Sequence, residues 1–256
     1  GVGIMGEALI VAISKSGVSA SDIGISDKRD SRTVELKQKY GCQIMSASDI
    51  ASQASNILLV VKPQDMDLLL ESIGKSISKN QRIISFAAGK KIDFICARLG
   101  YAPVIRVMPN TPTLVGAGMA AISVGTGVSS THKDFVAGFL AATGKVVEVN
   151  EELQDAVTAT SGSGPAYFFA FVEAMIEGAM ALGLSKEVAT ELTVQTFVGS
   201  AKLLQESGKS ATTLRENVTS PNGTTAAALA SFSANDLSNL VGQAMESARN
   251  RSIELA

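Results

Sequence analysis

A doubly wound, mainly parallel α/β domain followed by an all-α domain is the fold class this sequence predicts, and three observations carry it. The chain opens on a glycine turn, GVGIMG, with Gly1, Gly3 and Gly6 spaced as in turns that lead from a strand into a helix. From there to about Val149, short β-branched runs alternate with helix-length amphipathic segments, the pattern of consecutive βαβ units. After Asn150 the pattern changes to long alanine- and leucine-rich stretches with little alternation, which reads as helix. The predicted boundary therefore divides 1–149 from 150–256.

Taken in order, the predicted strands are Ile23 to Ser26, Asn56 to Val61, Arg82 to Phe86, Val104 to Met108, Met119 to Val124 and Val146 to Val149. Helices are predicted over Arg32 to Lys39, Asp65 to Ile73, Ile92 to Leu99 and Lys133 to Ala142. A strand ordinarily leads into a glycine turn of this kind. The expectation is that such a strand belongs ahead of Gly1, within a missing stretch of fewer than about ten residues, since strands typically run about five or six. The second domain is predicted helical over Glu151 to Thr160, Pro165 to Leu182, Lys186 to Gln205, Ala226 to Phe232 and Asn235 to Leu255. Gly183 ends one of these helices, Ser185 caps the next and Gly208 terminates it. Pro165 to Leu182 carries Tyr167, Phe168, Phe169, Phe171, Val172, Met175 and Ile176. A helix apolar nearly all round must be enclosed, and a domain of this size covers it most economically against a second subunit.

Composition narrows the function. At 256 residues with 46% hydrophobic positions, the chain predicts a soluble globular protein with ample core. A formal charge of −2 and no long Lys/Arg stripe argue against nucleic acid or an anionic membrane as partner. Apolar runs such as Ile57 to Val61 are too short to span a bilayer. Cys42 and Cys96 stand far apart with no CxxC or Cys/His grouping, so no metal site is expected, and a cytoplasmic location fits best. His132 is the sole histidine. Beside Lys133 and Asp134 it reads as a surface position at a helix start, so the chemistry is expected to proceed without imidazole.

In a G-x-G-x-x-G turn the first glycine permits the bend, the second admits a pyrophosphate and the third allows close helix packing, with the helix N-terminus facing the anion. That is the Rossmann dinucleotide fingerprint. About twenty residues beyond Gly6 stand Asp27, Lys28 and Arg29. Asp27 favours the ribose hydroxyls of NAD, whereas Lys28 and Arg29 favour the 2′-phosphate of NADP. The two signals oppose each other, and the reading leans to NADP. Further strand ends, Lys62-Pro63-Gln64, Ala87-Ala88-Gly89 and Pro109-Asn110-Thr111-Pro112, supply loops suited to the same crevice. In the helical domain Gly162 to Tyr167 and Ser220 to Thr225 (SPNGTT) are small polar loops feeding helices. Their N–H groups and hydroxyls can cap the helix or hold a carboxylate.

With these residues assembled, the chain resembles the pyrroline-5-carboxylate reductases over essentially its whole length, through GVGIMG, VVKPQ, ISFAAG, RVMPNTP, SGSGPAY and VTSPNGTT in order. The resemblance implies an N-terminal Rossmann domain and a C-terminal dimerisation domain that interlocks two subunits, often building larger rings of dimers. It implies NAD(P)H-dependent reduction of a cyclic imine, the last step of proline biosynthesis, with NADPH as cofactor and NADH as the alternative. By position it places pyrophosphate on Gly1, Val2, Gly3, Ile4, Met5 and Gly6, and adenosine ribose near Asp27, Lys28 and Arg29. The nicotinamide half falls against Val60, Val61, Lys62, Pro63, Ala87 and Ala88, with Asn217 as a further cofactor contact. Substrate falls against Glu151, Ser220, Gly223, Thr224 and Thr225, with Thr225 as proton donor, directly or through water. Asn222 stands where the family usually has glycine, which an αL-tolerant residue can satisfy. A 3-hydroxyacid dehydrogenase is the nearest rival, but that group carries a lysine in the first long helix of its second domain and Pro165 to Leu182 has none. A non-catalytic dinucleotide-binding protein is the other alternative, and the intact SPNGTT loop speaks against it.

Overall fold

The computed structural model describes residues 1–100 and 103–255. The chain forms two compact units, one of Gly1–Pro165 with the segment from Glu246 onward, the other of Ala166–Met245.

The first unit begins with α1 (Ile4–Lys15), β1 (Gly24–Ile25), α2 (Asp30–Tyr40), β2 (Gln43–Ile44) and α3 (Ala47–Gln53). It continues through β3 (Asn56–Leu59), α4 (Met66–Ile73), β4 (Arg82–Ser85), α5 (Ile92–Leu99), β5 (Val104–Met108), β6 (Gly118–Val124), α6 (Ser130–Ala141) and β7 (Gly144–Glu148). A five-stranded sheet runs β3-β4-β5-β6-β7, parallel except where β5 meets β6. Consecutive residues of its central strands point to opposite faces, and both faces are buried. Ile84 and Ile105 join Leu9, Val136 and Phe139 on one side, whereas Ile83 and Val104 join Leu70 and Ile95 on the other. The doubly wound arrangement predicted from the sequence is thus present.

Three features of the first unit differ from the sequence expectation. The two-residue strand β2 pairs parallel with β1 as a separate small sheet, and no ladder joins that sheet to β3 among the described residues. Between the two sheets lies a cavity of about 560 Å³ whose walls include Leu9, Ile13, Ile25, Ile57 and Leu59. Helix α3 is also additional to the prediction; Ser46 caps it by accepting the Asp49 N–H. Finally, His132 is buried at 1% exposure and not on the surface as its polar neighbours suggested. Ser129 caps α6 there, and the helix turns His132 inward with Val136, Phe139 and Leu140.

Beyond residue 149 the first unit continues through α7 (Gln154–Val157) and a π-helical turn over Thr158–Gly162. Gln154 is fully buried, its amide donating to the Ala121 carbonyl and the Ser123 hydroxyl of β6. These bonds tie α7 to the sheet, so the compact unit extends past the change in sequence character at Asn150.

The second unit is helical: α8 (Gly164–Ala181), which starts in the first unit, α9 (Lys186–Glu206), α10 (Ala211–Asn217), α11 (Thr224–Ala234) and most of α12 (Leu237–Glu254). Gly183 and Gly208 take positive φ just past α8 and α9. Ser185 caps α9 by accepting the Val188 N–H. Helix α10 was not predicted, being only seven residues long and mostly polar.

Candidate active site

The glycine turn is held by steric necessity. A Cβ on Gly1 would fall 2.6 Å from the Val60 carbonyl oxygen, and one on Gly6 would fall 2.7 Å from that of Gly1. Gly3 is the opposite case, since a Cβ there would meet nothing within 4 Å. Gly3 is also the N-cap of the twelve-residue α1 and contributes no side-chain cap. An open glycine over uncapped N–H groups at the positive end of a helix fits a dinucleotide pyrophosphate.

Two charged side chains brace the turn at Val2. Asp27 Oδ2 accepts the Val2 N–H at 2.8 Å, while Arg32 Nε donates to the Val2 carbonyl at 3.0 Å. Asp27 Oδ1 accepts from the Arg29 backbone N–H and from Arg29 Nε. Burial opposes ionisation of Asp27, but the Val2 and Arg29 hydrogen bonds outweigh it and hold its carboxyl below the ordinary value. Both Asp27 oxygens are thus engaged by protein groups. Glu7, in the first turn of α1, would otherwise repel an anion. Lys39, Arg32 and Tyr40 all donate to its carboxylate and hold its pKa to about 2. Arg32, Lys39 and Tyr40 escaped the sequence reading, because nothing local marks them as neighbours of a glycine turn more than two dozen residues away.

Lys28 reaches Asp65 at 2.6 Å, linking the end of β1 to the Lys62-Pro63-Gln64 turn after β3. Arg29, bonded to Asp27, keeps its side chain largely exposed. Val60 and Val61 adjoin Gly1, so the glycine turn and the loop after β3 are brought together as predicted. Ala87 is buried and Ala88 half-buried at the end of β4, ahead of Gly89 at φ +74°.

Glu151 belongs to this unit and is held by protein partners. Its Oε1 accepts the Ile92 N–H at 2.7 Å, at the start of α5, and Arg106 Nη1 lies 3.3 Å away. His132 stands apart from these loops: both ring nitrogens lack a hydrogen-bond partner, and burial, aided by the Arg82 charge, lowers its pKa to about 4. It is neutral at pH 7.

The remaining predicted contacts lie in the second unit. Asn217 ends α10 and is exposed. Asn222 adopts φ 59°, a left-handed conformation that asparagine tolerates. A Cβ on Gly223 would fall 2.3 Å from the Ser220 hydroxyl and 3.2 Å from the Ser220 carbonyl oxygen, so the turn packs closely on this glycine. Gly223 is the N-cap of the eleven-residue α11 without a side-chain cap, leaving the first-turn N–H groups of Thr224 and Thr225 without that partner. The Thr225 side chain is half-buried at this terminus.

Family comparisons match the two parts of the chain separately. Residues 151–255 match the family model described as pyrroline-5-carboxylate reductase dimerisation, and residues 1–89 match one described as NADP oxidoreductase, coenzyme F420-dependent. The chain is 39% identical to pyrroline-5-carboxylate reductase of Pseudomonas aeruginosa and 35% identical to that of Mycobacterium tuberculosis, covering all of this chain and 95% of each relative. Among solved structures, the pyrroline-5-carboxylate reductase of Coxiella burnetii matches with TM-score 0.90 at 33% identity, over 100% of this chain and 96% of that one. The Plasmodium falciparum pyrroline carboxylate reductase, solved with NADP bound, matches with TM-score 0.88 at 30% identity, over 100% and 95%. A braced glycine turn in one unit, an uncapped threonine turn in the other and full-length identity of this order lead to one assignment: the chain belongs to the pyrroline-5-carboxylate reductase family.

Proposed function

We propose that this protein reduces 1-pyrroline-5-carboxylate to proline with NADPH, as a cytoplasmic enzyme that works as a homodimer or a ring of dimers. The observation that carries the reading is the pairing, in one chain, of a dinucleotide turn open only at Gly3 with a second anion-facing helix terminus at Gly223, within a full-length family match.

When bound, the nicotinamide supplies the hydride. The chain's own residues do the rest. The N–H groups at the start of α1 receive the pyrophosphate, with Gly3 leaving room for it. Val60, Val61, Lys62, Pro63, Ala87 and Ala88 confine the nicotinamide half, and Asn217 adds a contact. Lys28 and Arg29 meet the 2′-phosphate, and Asp27, whose Oδ2 accepts the Val2 N–H, keeps acceptor capacity toward the ribose. In the second unit Ser220 and the Thr224 N–H hold the imine's carboxylate, while Gly223, whose own N–H is already donated to the Ser220 carbonyl, shapes the turn around it, and Thr225 donates the proton to the ring nitrogen, directly or through water. Glu151 is the substrate contact contributed by the first unit. A cyclic imine is protonated near neutral pH and needs no strong acid, which suits a site whose sole histidine is buried and neutral elsewhere. Catalysis is then chiefly positioning.

The test is steady-state NADPH oxidation with pyrroline-5-carboxylate beside a panel of 3-hydroxyacids assayed with NADP. Turnover of the imine alone supports the reading. Turnover confined to the hydroxyacids, or NADPH binding with no turnover of either class, overturns it.

A further inference from the structure

The last turn of α12 buries a single residue of that helix, Ser252, at 2% exposure. Its surroundings explain why a polar side chain is tolerated there. Ser252 Oγ donates to Asp155 Oδ1 at 2.6 Å, across 97 residues of sequence. The same carboxylate oxygen lies 3.9 Å from Arg106 Nη2, and Arg106, itself 2% exposed, also meets Glu151. Glu151 in turn accepts the N–H of Ile92, where the Ala87–Lys91 loop enters α5. From the other side, backbone meets backbone. A Cβ on Gly89 would fall 2.8 Å from the Ser252 carbonyl oxygen and 3.0 Å from the Leu255 carbonyl carbon. The loop is therefore held at its middle by the end of α12 and at its exit by Glu151, and both holds converge on the Arg106 guanidinium.

We propose that the carboxy-terminal turn of α12 is a positioning element for the reaction, with the Ser252–Asp155 hydrogen bond fixing the height of the Ala87–Lys91 loop against the nicotinamide. Ser252 touches neither cofactor nor substrate; it acts through Gly89 and the loop. The proposal rests on the assignment of Ala87 and Ala88 to the nicotinamide half. Elsewhere on the same helix, Arg249 pairs with its exposed neighbours Glu246 and Asn250. Buried partners at an exposed helix end indicate that the chain holds this turn in place, because an isolated helix terminus normally frays.

The experiment uses the full chain and three variants: Ser252→Ala, Ser252→Thr, which keeps the hydroxyl, and Arg249→Ala as a control on the same helix. NADPH dissociation constants are read by fluorescence titration, KM and kcat by steady-state kinetics, and folding by thermal melting. Losing one partner of a buried hydrogen bond predicts an NADPH dissociation constant and KM raised about tenfold in Ser252→Ala, with KM for the imine changed less than about twofold. Ser252→Thr and Arg249→Ala are expected to match the parent protein. The proposal is overturned if Ser252→Ala binds NADPH as the parent does, even with a lowered melting temperature, since that pattern marks a purely structural contact. It is also overturned if Ser252→Thr is as weak as Ser252→Ala, which would make packing and not the hydroxyl responsible. A parent protein that binds NADPH but does not reduce the imine would sink the functional reading instead, and the binding constants would still decide the role of Ser252.

Discussion

The two units solve the problem of burial in opposite ways. The first sandwiches a sheet between helices and buries large side chains outright: Leu9, Leu36, Leu70, Ile84, Ile105 and Phe139 are all fully enclosed. In the second, only Ala189 and Thr193 are buried. Phe168 of α8 sits edge to face with both Phe169 and Phe197, yet Phe169 remains 57% exposed, Leu192 of α9 55% and Leu182 89%. Exposed apolar surface on that scale marks a surface awaiting a partner. The difference teaches that the first unit closes a core within itself, whereas the second leaves an apolar face uncovered, as the proposed dimer would require. The family model that covers it bears the word dimerisation.

The largest test of that contrast breaks the second unit's face. Phe169→Glu with Leu192→Glu is expected to give monomers in sedimentation velocity and to cost about 100-fold or more in activity, since unpaired charges cannot be buried in an apolar contact. Leu68→Glu, a comparably exposed leucine on α4 of the first unit, should change neither property. Retained dimers in the double variant would show that the exposed face is not the interface.

Next comes the cofactor end. Gly3→Asp places a carboxylate where no atom now obstructs it and should weaken NADPH binding roughly 100-fold, with the melting temperature little altered. Equal weakening by a neutral Gly3→Ala would mean that the space, and not the charge, is what matters. Acid sensitivity should likewise reside in the first unit. His132 is neutral when folded and resists protonation until about pH 4, whereas the unfolded chain protonates near 6.5. Stability should therefore decline as pH falls through that window, by on the order of 2–3 kcal/mol at its lower end. Denaturation of His132→Leu should lack this component, and an unchanged pH dependence would contradict the assignment. The smallest effect is cofactor choice: Lys28→Ala with Arg29→Ala should lower NADPH use about tenfold relative to NADH, these being exposed charges. If both cofactors suffer alike, the pair does not read the 2′-phosphate.

How legible the molecule is in its sequence depends on how local each signal is. Strands β3, β4 and β5 declare themselves because two buried faces demand continuous β-branched runs such as Ile83-Ile84. Strand β2 and helix α10 do not, being too short for periodicity to register. His132 misleads, since its polar neighbours describe the outer face of α6 while the helical turn carries it inward. At the site, both helix termini that lack a side-chain cap are announced by glycine patterns, down to the left-handed Asn222. The braces are silent: Arg32 on Val2, Glu151 on Ile92 and Ser252 on Asp155 connect residues that only the tertiary fold brings together.

The central claim is that the unit carrying the glycine turn binds the reductant while the threonine turn of the other unit serves the imine. It is tested most directly by measuring NADPH affinity and imine turnover of Thr225→Ala side by side. The predicted result is kcat lowered about 10- to 100-fold with the NADPH dissociation constant unchanged within about twofold. Parallel losses in both, or a kcat equal to that of the parent protein, would contradict it.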